Sequence, residues 1–386
     1  MSATDLRALL AAHPELATKL GRADPQAVAD WWHSLDGPDG GLSDAQTALV
    51  VGIPAVIGAL NGVGWDARYA ASKLNIQVAK AANEKKIAAL HQQIDDLASF
   101  RGTTLARAEL VHQIAGLEAR QATYTTMEGR QVLLFDLAGN GRYVEVHGTL
   151  TASTRNIGVI VNGTTLNMDT VLGYDKRAAN FQKENRDHND DSLVTVTWMG
   201  GDFPDWGTYT RTTELSGMAN ATGRALAEFV DGVRAVTEAR SVIVGHSAGG
   251  GIVGAAEKVG LSADAVIQVS SAGAGPDVHS VQDYKNPQTP RYTLTAPDDP
   301  ITPFQGLFWG TGPFGANTED LEGVTVLDSG PTPLAGLPVN PWAHDAVFDA
   351  GTQAWKNIYY VMVGESPQTG TWLAPGPFGE RPTQVY

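Results

Sequence analysis

Residues 241–251 read Ser-Val-Ile-Val-Gly-His-Ser-Ala-Gly-Gly-Gly, and this stretch decides the fold. Val242, Ile243 and Val244 form a short apolar run of the kind that makes a buried strand. The run stops at Gly245-His246-Ser247-Ala248-Gly249, a G-x-S-x-G pentapeptide, and residues 250–258 after it are small and apolar, suited to a helix lying close on a sheet. Strand, sharp turn with serine at the apex, then helix is the context in which this pentapeptide is a nucleophile elbow. Gly245 and Gly249 leave room for the strand and helix backbones to approach. Ser247 then stands proud of the sheet's carboxyl edge, and the helix N-terminus aims its N–H groups at an anion forming there. The bland alternative is a glycine-rich turn with an idle serine, so the rest of the chain must supply a base, an acid and an oxyanion hole.

The surrounding sequence predicts an α/β protein. Residues 131–137 and 142–147 flank Ala138-Gly139-Asn140-Gly141 and read as a hairpin with an Asn-Gly turn. Short β-rich runs follow at 157–161, 193–198, 242–244, 265–269, 291–295 and 324–327, with helical segments at 215–238, 250–258 and 352–364. A leading antiparallel hairpin followed by alternating strands and helices predicts an open, mostly parallel sheet with helices on both faces. Ligands bind such sheets at the carboxyl ends of the strands. Residues 126–386 are expected to form this domain. Residues 1–125 read as a separate helical region: a short helix from Asp5 stopped near Pro14, then starts at Asp24-Pro25 and Ser43-Asp44, and an end or kink at Pro54. Residues 65–100 and 104–123 predict a long helical hairpin, with Leu74, Val78, Ala81, Lys85 and Ala88 along one face. Its expected role is scaffold; the alternative is an arm for a protein partner or a dimer. The Pro/Gly-rich tail to Tyr386 is expected to wrap the surface.

The oxyanion hole requires backbone donors from a second strand end. Residues 157–161 lead into Asn162-Gly163-Thr164-Thr165, so the N–H groups of Thr164 and Ala248 are the candidates, with Gly163 permitting close approach. Among nine histidines, His344 follows the last strand, where a loop can swing it over Ser247; His279 is the alternative. The acid is expected at Asp299, with Asp298 beside it and Asp277 as an outside choice. The order Ser247, Asp299, His344 matches the α/β-hydrolases and neither common protease order. Trp198, Met199, His246, Phe304, Phe308 and Trp309, from two Gly- and aromatic-rich loops and the elbow itself, are expected to line the substrate pocket.

The chain resembles an α/β-hydrolase, and specifically the actinobacterial family catalogued as a domain of unknown function, DUF1023. The resemblance runs through Val159-Ile160-Val161-Asn162-Gly163-Thr164-Thr165, Thr197-Trp198-Met199-Gly200, Gly245-His246-Ser247-Ala248-Gly249-Gly250 and Asp298-Asp299-Pro300-Ile301. It extends into the helical lead-in through Pro54, Ile57-Gly58-Ala59-Leu60-Asn61-Gly62 and Arg68. The family usually has proline where Asn162 stands and commonly tyrosine where Ala248 stands; neither change removes a triad member. The resemblance implies a hydrolase and leaves the substrate open. Esters are expected first, because G-H-S-x-G resembles the elbows of esterases and lipases; an amidase or peptidase with the same triad, or a non-catalytic interaction protein acting through the helical arm, are the alternatives.

Composition narrows the field further. The 386 residues carry a net charge of −15, which argues against a nucleic-acid partner. With no cysteine, disulfides, thiolate-bound zinc and a cysteine nucleophile are excluded. Residues 187–191 are acidic but lack the glycine and distal glutamate of a calcium loop, and neither a P-loop nor a dinucleotide fingerprint is present, so no metal or cofactor is expected. No basic-then-apolar leader and no run of 18 apolar residues are seen, which gives a cytoplasmic expectation without a transmembrane segment. The expected ligand is a small-molecule or lipid-like ester.

Overall fold

The computed structural model describes residues 5, 8–9, 12–38, 40–97, 104–302, 305, 313–331, 340 and 342–370. Its eight strands are β1 (Val132–Asp136), β2 (Arg142–His147), β3 (Asn156–Val161), β4 (Leu193–Met199), β5 (Arg240–His246), β6 (Ala265–Val269), β7 (Arg291–Leu294) and β8 (Val324–Val326). They form one sheet in the order β1-β2-β4-β3-β5-β6-β7-β8. β1–β2 and β2–β4 pair antiparallel, and every later pairing is parallel. This order, with an antiparallel second strand and a serine turn after β5, is the α/β-hydrolase fold.

Every residue of β3, β4 and β6 is buried, as a parallel sheet covered on both faces requires. Side chains alternate between the faces. Ile157, Val159, Val161 and Ile243 point to one side, where α8 (Thr212–Val236) and α9 (Ala248–Val259) bring Phe229, Val230, Ile252 and Val253. Ile160, Val242 and Val244 point to the other, against α7 (Val171–Asp187) and α11 (Gln353–Val363). There Phe181 stacks on Trp355, centroids 5.0 Å apart and nearly parallel at 7°. Burying each such side chain contributes about 1.5–3 kcal/mol.

The chain reverses direction across the sheet at β3: β4 lies on one side of it and β5 on the other. Diverging connections at such a switch point open a crevice at the carboxyl ends. The register sets Val161 beside Gly245, so Asn162 and Gly163 emerge next to His246 and Ser247.

The helical lead-in comprises α1 (Pro14–Leu20), α2 (Pro25–His33), α3 (Asp44–Gly52), α4 (Pro54–Ala59), α5 (Trp65–Leu97) and α6 (Thr104–Glu128). Pro14 opens a helix instead of stopping one, because proline at the first position gives up an N–H that has no partner there anyway. The Asp24 side chain caps α2, Ser43 and Gln46 form a capping box at α3, and Pro54 separates α3 from α4. Trp32, Ile57, Leu60, Val63 and Ala67 make a small core of their own. Arg68 is buried beneath it, donating from Nε to the Gly58 carbonyl at 3.1 Å, and Asn61 reaches across to the Glu228 carbonyl of α8 at 2.9 Å.

The hairpin face expected from the sequence is corrected. Val78 is 67% exposed; the inward row of α5 is Ser72, Ile76, Ala79 and Asn83, and Asn83 donates to the Leu117 carbonyl of α6 at 2.8 Å. Ile76 and Ala79, with Tyr124 and Met127 of α6, join the core under β1, while Leu105 near the far end is 87% exposed. A polar residue on the seam and several alanines off it hid the true stripe from a hydrophobic count. The acidic stretch at 187–191 is the exit of α7, with His188 at its C-cap. Beyond α11, Thr369 bridges Leu327; residues 371–386 of the tail lie outside the described residues. Among the described residues no helix is long and apolar enough to cross a membrane.

One buried polar cluster makes stability pH-dependent. His147 at the end of β2 bonds through Nε2 to Thr197 Oγ1 at 3.0 Å, and burial pushes its pKa down to about 4. A group depressed in the folded state stabilises above its unfolded pKa and loses that contribution as pH falls. Against an unfolded value near 6.5, His147 costs the fold about 2 kcal/mol between pH 7 and pH 5. Urea denaturation of wild type and His147→Gln at both pH values isolates this group: the variant is expected to lose about 2 kcal/mol less than wild type on acidification.

Candidate active site

β5 ends at His246, and Ser247 takes φ 57° and ψ −129° before α9 begins at Ala248. Such a conformation costs a non-glycine residue about 1–3 kcal/mol and persists only where the surroundings enforce it. Here Ser247 donates its N–H to the Val269 carbonyl at 3.2 Å, and its carbonyl accepts from Gly250 at 3.0 Å and Ala272 at 2.9 Å. The two glycines of the pentapeptide have no substitute: a Cβ on Gly249 would lie 2.1 Å from the Asn162 carbonyl oxygen, and one on Gly245 would lie 2.7 Å from Gly250 Cα.

Gly163 passes so close to Ser247 that a Cβ there would fall 2.7 Å from Ser247 Cβ and 3.0 Å from Oγ. The backbone N–H groups of Thr164 and Ala248 bond to no acceptor among the described residues, leaving two donors beside the serine. At Asn162, the side-chain oxygen accepts from Arg177 Nη1 at 2.9 Å.

His344 lies in α10 (Ala343–Ala346), after the last strand. Its Nδ1 meets Asp299 Oδ1 at 2.9 Å and Oδ2 at 3.1 Å. The Asp299 side chain is wholly buried, and its Oδ1 also accepts from the Ile301 N–H at 2.8 Å. A carboxylate only accepts, so Nδ1 carries the imidazole proton and Nε2 keeps a free lone pair. Asp298, next along, has φ 61° and is tied to the same loop from the other side, its carbonyl accepting from Asn340 at 2.8 Å. Asp277 is 86% exposed beside Lys258, and His279 is exposed at a short helical turn, its N–H bonded to Asp283. Ser247 Oγ and the His344 ring form no hydrogen bond in this structure; such contacts commonly tighten only when substrate is bound.

Three of the residues expected to line the pocket are buried instead. Trp198 and Met199 are at most 1% exposed, and Trp198 packs edge-on against Phe203 at 6.3 Å. β4 is buried on both faces, so its last residues enter the core and not the crevice. His246 is 2% exposed, with Nδ1 held by Arg177 at 2.9 Å and Nε2 by the His344 carbonyl at 2.9 Å. Phe304, Phe308 and Trp309 lie outside the described residues.

Two residues that the sequence reading passed over belong near the serine. Tyr209 meets Thr164 Oγ1 through its hydroxyl at 2.5 Å and stands between Trp206 and Phe314, with centroids 5.9 and 6.5 Å away. Arg177 comes from α7, a helix that the sequence reading omitted. Its signal was the helical spacing of Val171, Ala178 and Phe181, blurred by Asp175, Gln182 and Asn185 on the same buried face. Among the described residues no cluster of His, Asp and Glu is arranged to hold a metal ion.

No family model matches the chain, and no curated protein matches it. Solved structures do resemble it in fold. A dienelactone hydrolase-like promiscuous phosphotriesterase, P91, from metagenomic libraries is 15% identical with TM-score 0.38, covering 60% of this chain and 95% of its own. Dienelactone hydrolase from Anabaena variabilis is 14% identical with TM-score 0.36, covering 56% and 92%. At these identities the likeness concerns the fold alone.

Proposed function

We propose that this protein is a serine hydrolase that cleaves carboxylic esters through Ser247, His344 and Asp299. The observation that carries this reading is the His344–Asp299 pair, 2.9 Å apart, which joins α10 to the turn after β7, together with Ser247 held at φ 57° after β5. In the mechanism Ser247 Oγ attacks the carbonyl carbon, and His344 Nε2 takes the hydroxyl proton. Asp299 keeps the proton on Nδ1 and stabilises the imidazolium that forms. The N–H groups of Thr164 and Ala248 receive the oxyanion, with Gly163 giving the carbonyl room to approach. The tetrahedral intermediate collapses, His344 returns its proton to the departing alcohol, and water then hydrolyses the acyl-enzyme by the same steps.

The aromatic row of Trp206, Tyr209 and Phe314 beside Thr164 favours an apolar acyl group. The motifs of the sequence resemble those of the DUF1023 family. A series of p-nitrophenyl esters of increasing acyl length tests the substrate class. Turnover is expected, and Trp206→Ala, at a residue 76% exposed, is expected to shift the chain-length optimum without abolishing it. Hydrolysis of acyl anilides but of no ester by the folded protein would move the assignment to amides.

A further inference from the structure

His246 occupies the variable position of the elbow, and both of its ring nitrogens are engaged. Arg177 has only donors, so the Nη1–H that meets His246 Nδ1 at 2.9 Å requires Nδ1 to be the acceptor. The ring proton therefore sits on Nε2, which donates to the His344 carbonyl at 2.9 Å. The second Nη1 proton goes to Asn162 Oδ1 at 2.9 Å, and Nη2 reaches Asp345, the residue after His344. The guanidinium is held over the rings of Tyr174 and Phe348, 4.9 and 4.7 Å from their centroids. The His246 ring also covers that of His344, centroids 4.6 Å apart at 41°, with Phe348 edge-on behind it at 5.2 Å. Burial first, and the Arg177 charge second, hold the His246 pKa well below its ordinary value, so the neutral tautomer persists.

We infer that His246, fixed as its Nε2–H tautomer by Arg177, is the positioning residue that anchors the His344 backbone, and with it the imidazole, over the elbow, so that the ring can close on Ser247 when substrate binds. The inference rests on the assignment of His344 as the base. Its physical logic is that Asp299 orients the ring from one end and the Asn340 bond to the Asp298 carbonyl holds the loop ahead of α10, while the His246 bond acts on the His344 carbonyl itself. His246 ties α10 directly to the residue before the nucleophile.

Two substitutions separate the two bonds. His246→Gln places an N–H near the former Nε2 and keeps the donor to His344. His246→Asn places an oxygen near the former Nδ1, keeps the Arg177 acceptor and loses the donor. The rate of labelling by a fluorophosphonate is expected to stay close to wild type in His246→Gln and to fall about 10²-fold in His246→Asn, the usual cost of a misplacement near 1 Å. Both variants are expected to melt at similar temperatures. Equal rates in the two variants, whether both unchanged or both reduced, would overturn the inference. Should wild type itself fail to label, the hydrolase reading falls, and the downfield proton resonance of His344 Nδ1–H against Asp299 decides the positioning claim. Its presence in wild type and His246→Gln and its loss in His246→Asn support the claim; the same spectrum in both variants contradicts it.

Discussion

Ser247→Ala is expected to lower ester turnover by about 10⁶-fold, down to what binding and the oxyanion donors alone provide. The loss is large because a methyl group replaces the hydroxyl that would attack the carbonyl, and alanine has no lone pair to offer in its place. The fold is expected to survive intact. Among the described residues the Ser247 side chain makes no hydrogen bond, while its N–H and carbonyl carry the contacts to Val269, Gly250 and Ala272 that alanine retains. Alanine suffers the same strain at φ 57° as serine. A melting temperature close to wild type, alongside lost turnover, is therefore the paired result; turnover retained in this variant would remove Ser247 from the mechanism.

Asp299→Asn carries the second largest effect, about 10⁴-fold in kcat. The shape is conserved and the hydrogen-bonding sense is reversed. An amide NH₂ turned toward His344 Nδ1 donates where the carboxylate accepted, so the ring proton moves to Nε2 and faces the serine whose proton it must take. The carboxylate is wholly buried, so water cannot substitute for the lost acceptor. Asp298→Asn is the internal control. Asparagine tolerates the left-handed backbone at this position, and the carboxylate that meets His344 Nδ1 is that of Asp299, so activity near wild type is expected. A reversed outcome, with Asp298→Asn inactive and Asp299→Asn active, would reassign the acid. The steady-state rates of the two variants on one ester settle the choice.

The elbow was legible because its constraint is local. A strand, a serine at an unfavourable dihedral and a helix must all fit within a dozen residues, and small residues at 245 and 249 are the mark of that fit. The hairpin around Asn140-Gly141 was legible for the same reason. Asp299 and His344 were singled out from strand order, and the structure pairs them at 2.9 Å. What the sequence concealed was orientation. β4 alternates Val194, Thr195, Val196, Thr197 and Trp198 although all its residues are buried, so the alternation suggested an open face that the fold covers, and Trp198 and Met199 looked available to a ligand. His246 was misread although alternation along β5 was informative: Val242, Val244 and residue 246 share a face, and the first two enter the core beside Phe348 and Trp355. Arg177 was hidden with its helix, since a buried face carrying Asp175, Gln182 and Asn185 does not read as apolar.

The buried polar residues of α7 are also the ones that tie distant parts together. Asp175 meets Arg130 ahead of β1, and Asn185 accepts from the Leu193 N–H at the start of β4. A helix that serves as a polar connector departs from the amphipathic pattern, and the same departure supplies Arg177 to the elbow.

The measurement that bears most directly on the central claim is fluorophosphonate labelling of the full chain, followed by peptide mapping. The account predicts one adduct, on the serine at position 247, absent from Ser247→Ala and slowed in Asp299→Asn. An adduct on another residue, or no adduct on folded wild-type protein, would contradict it.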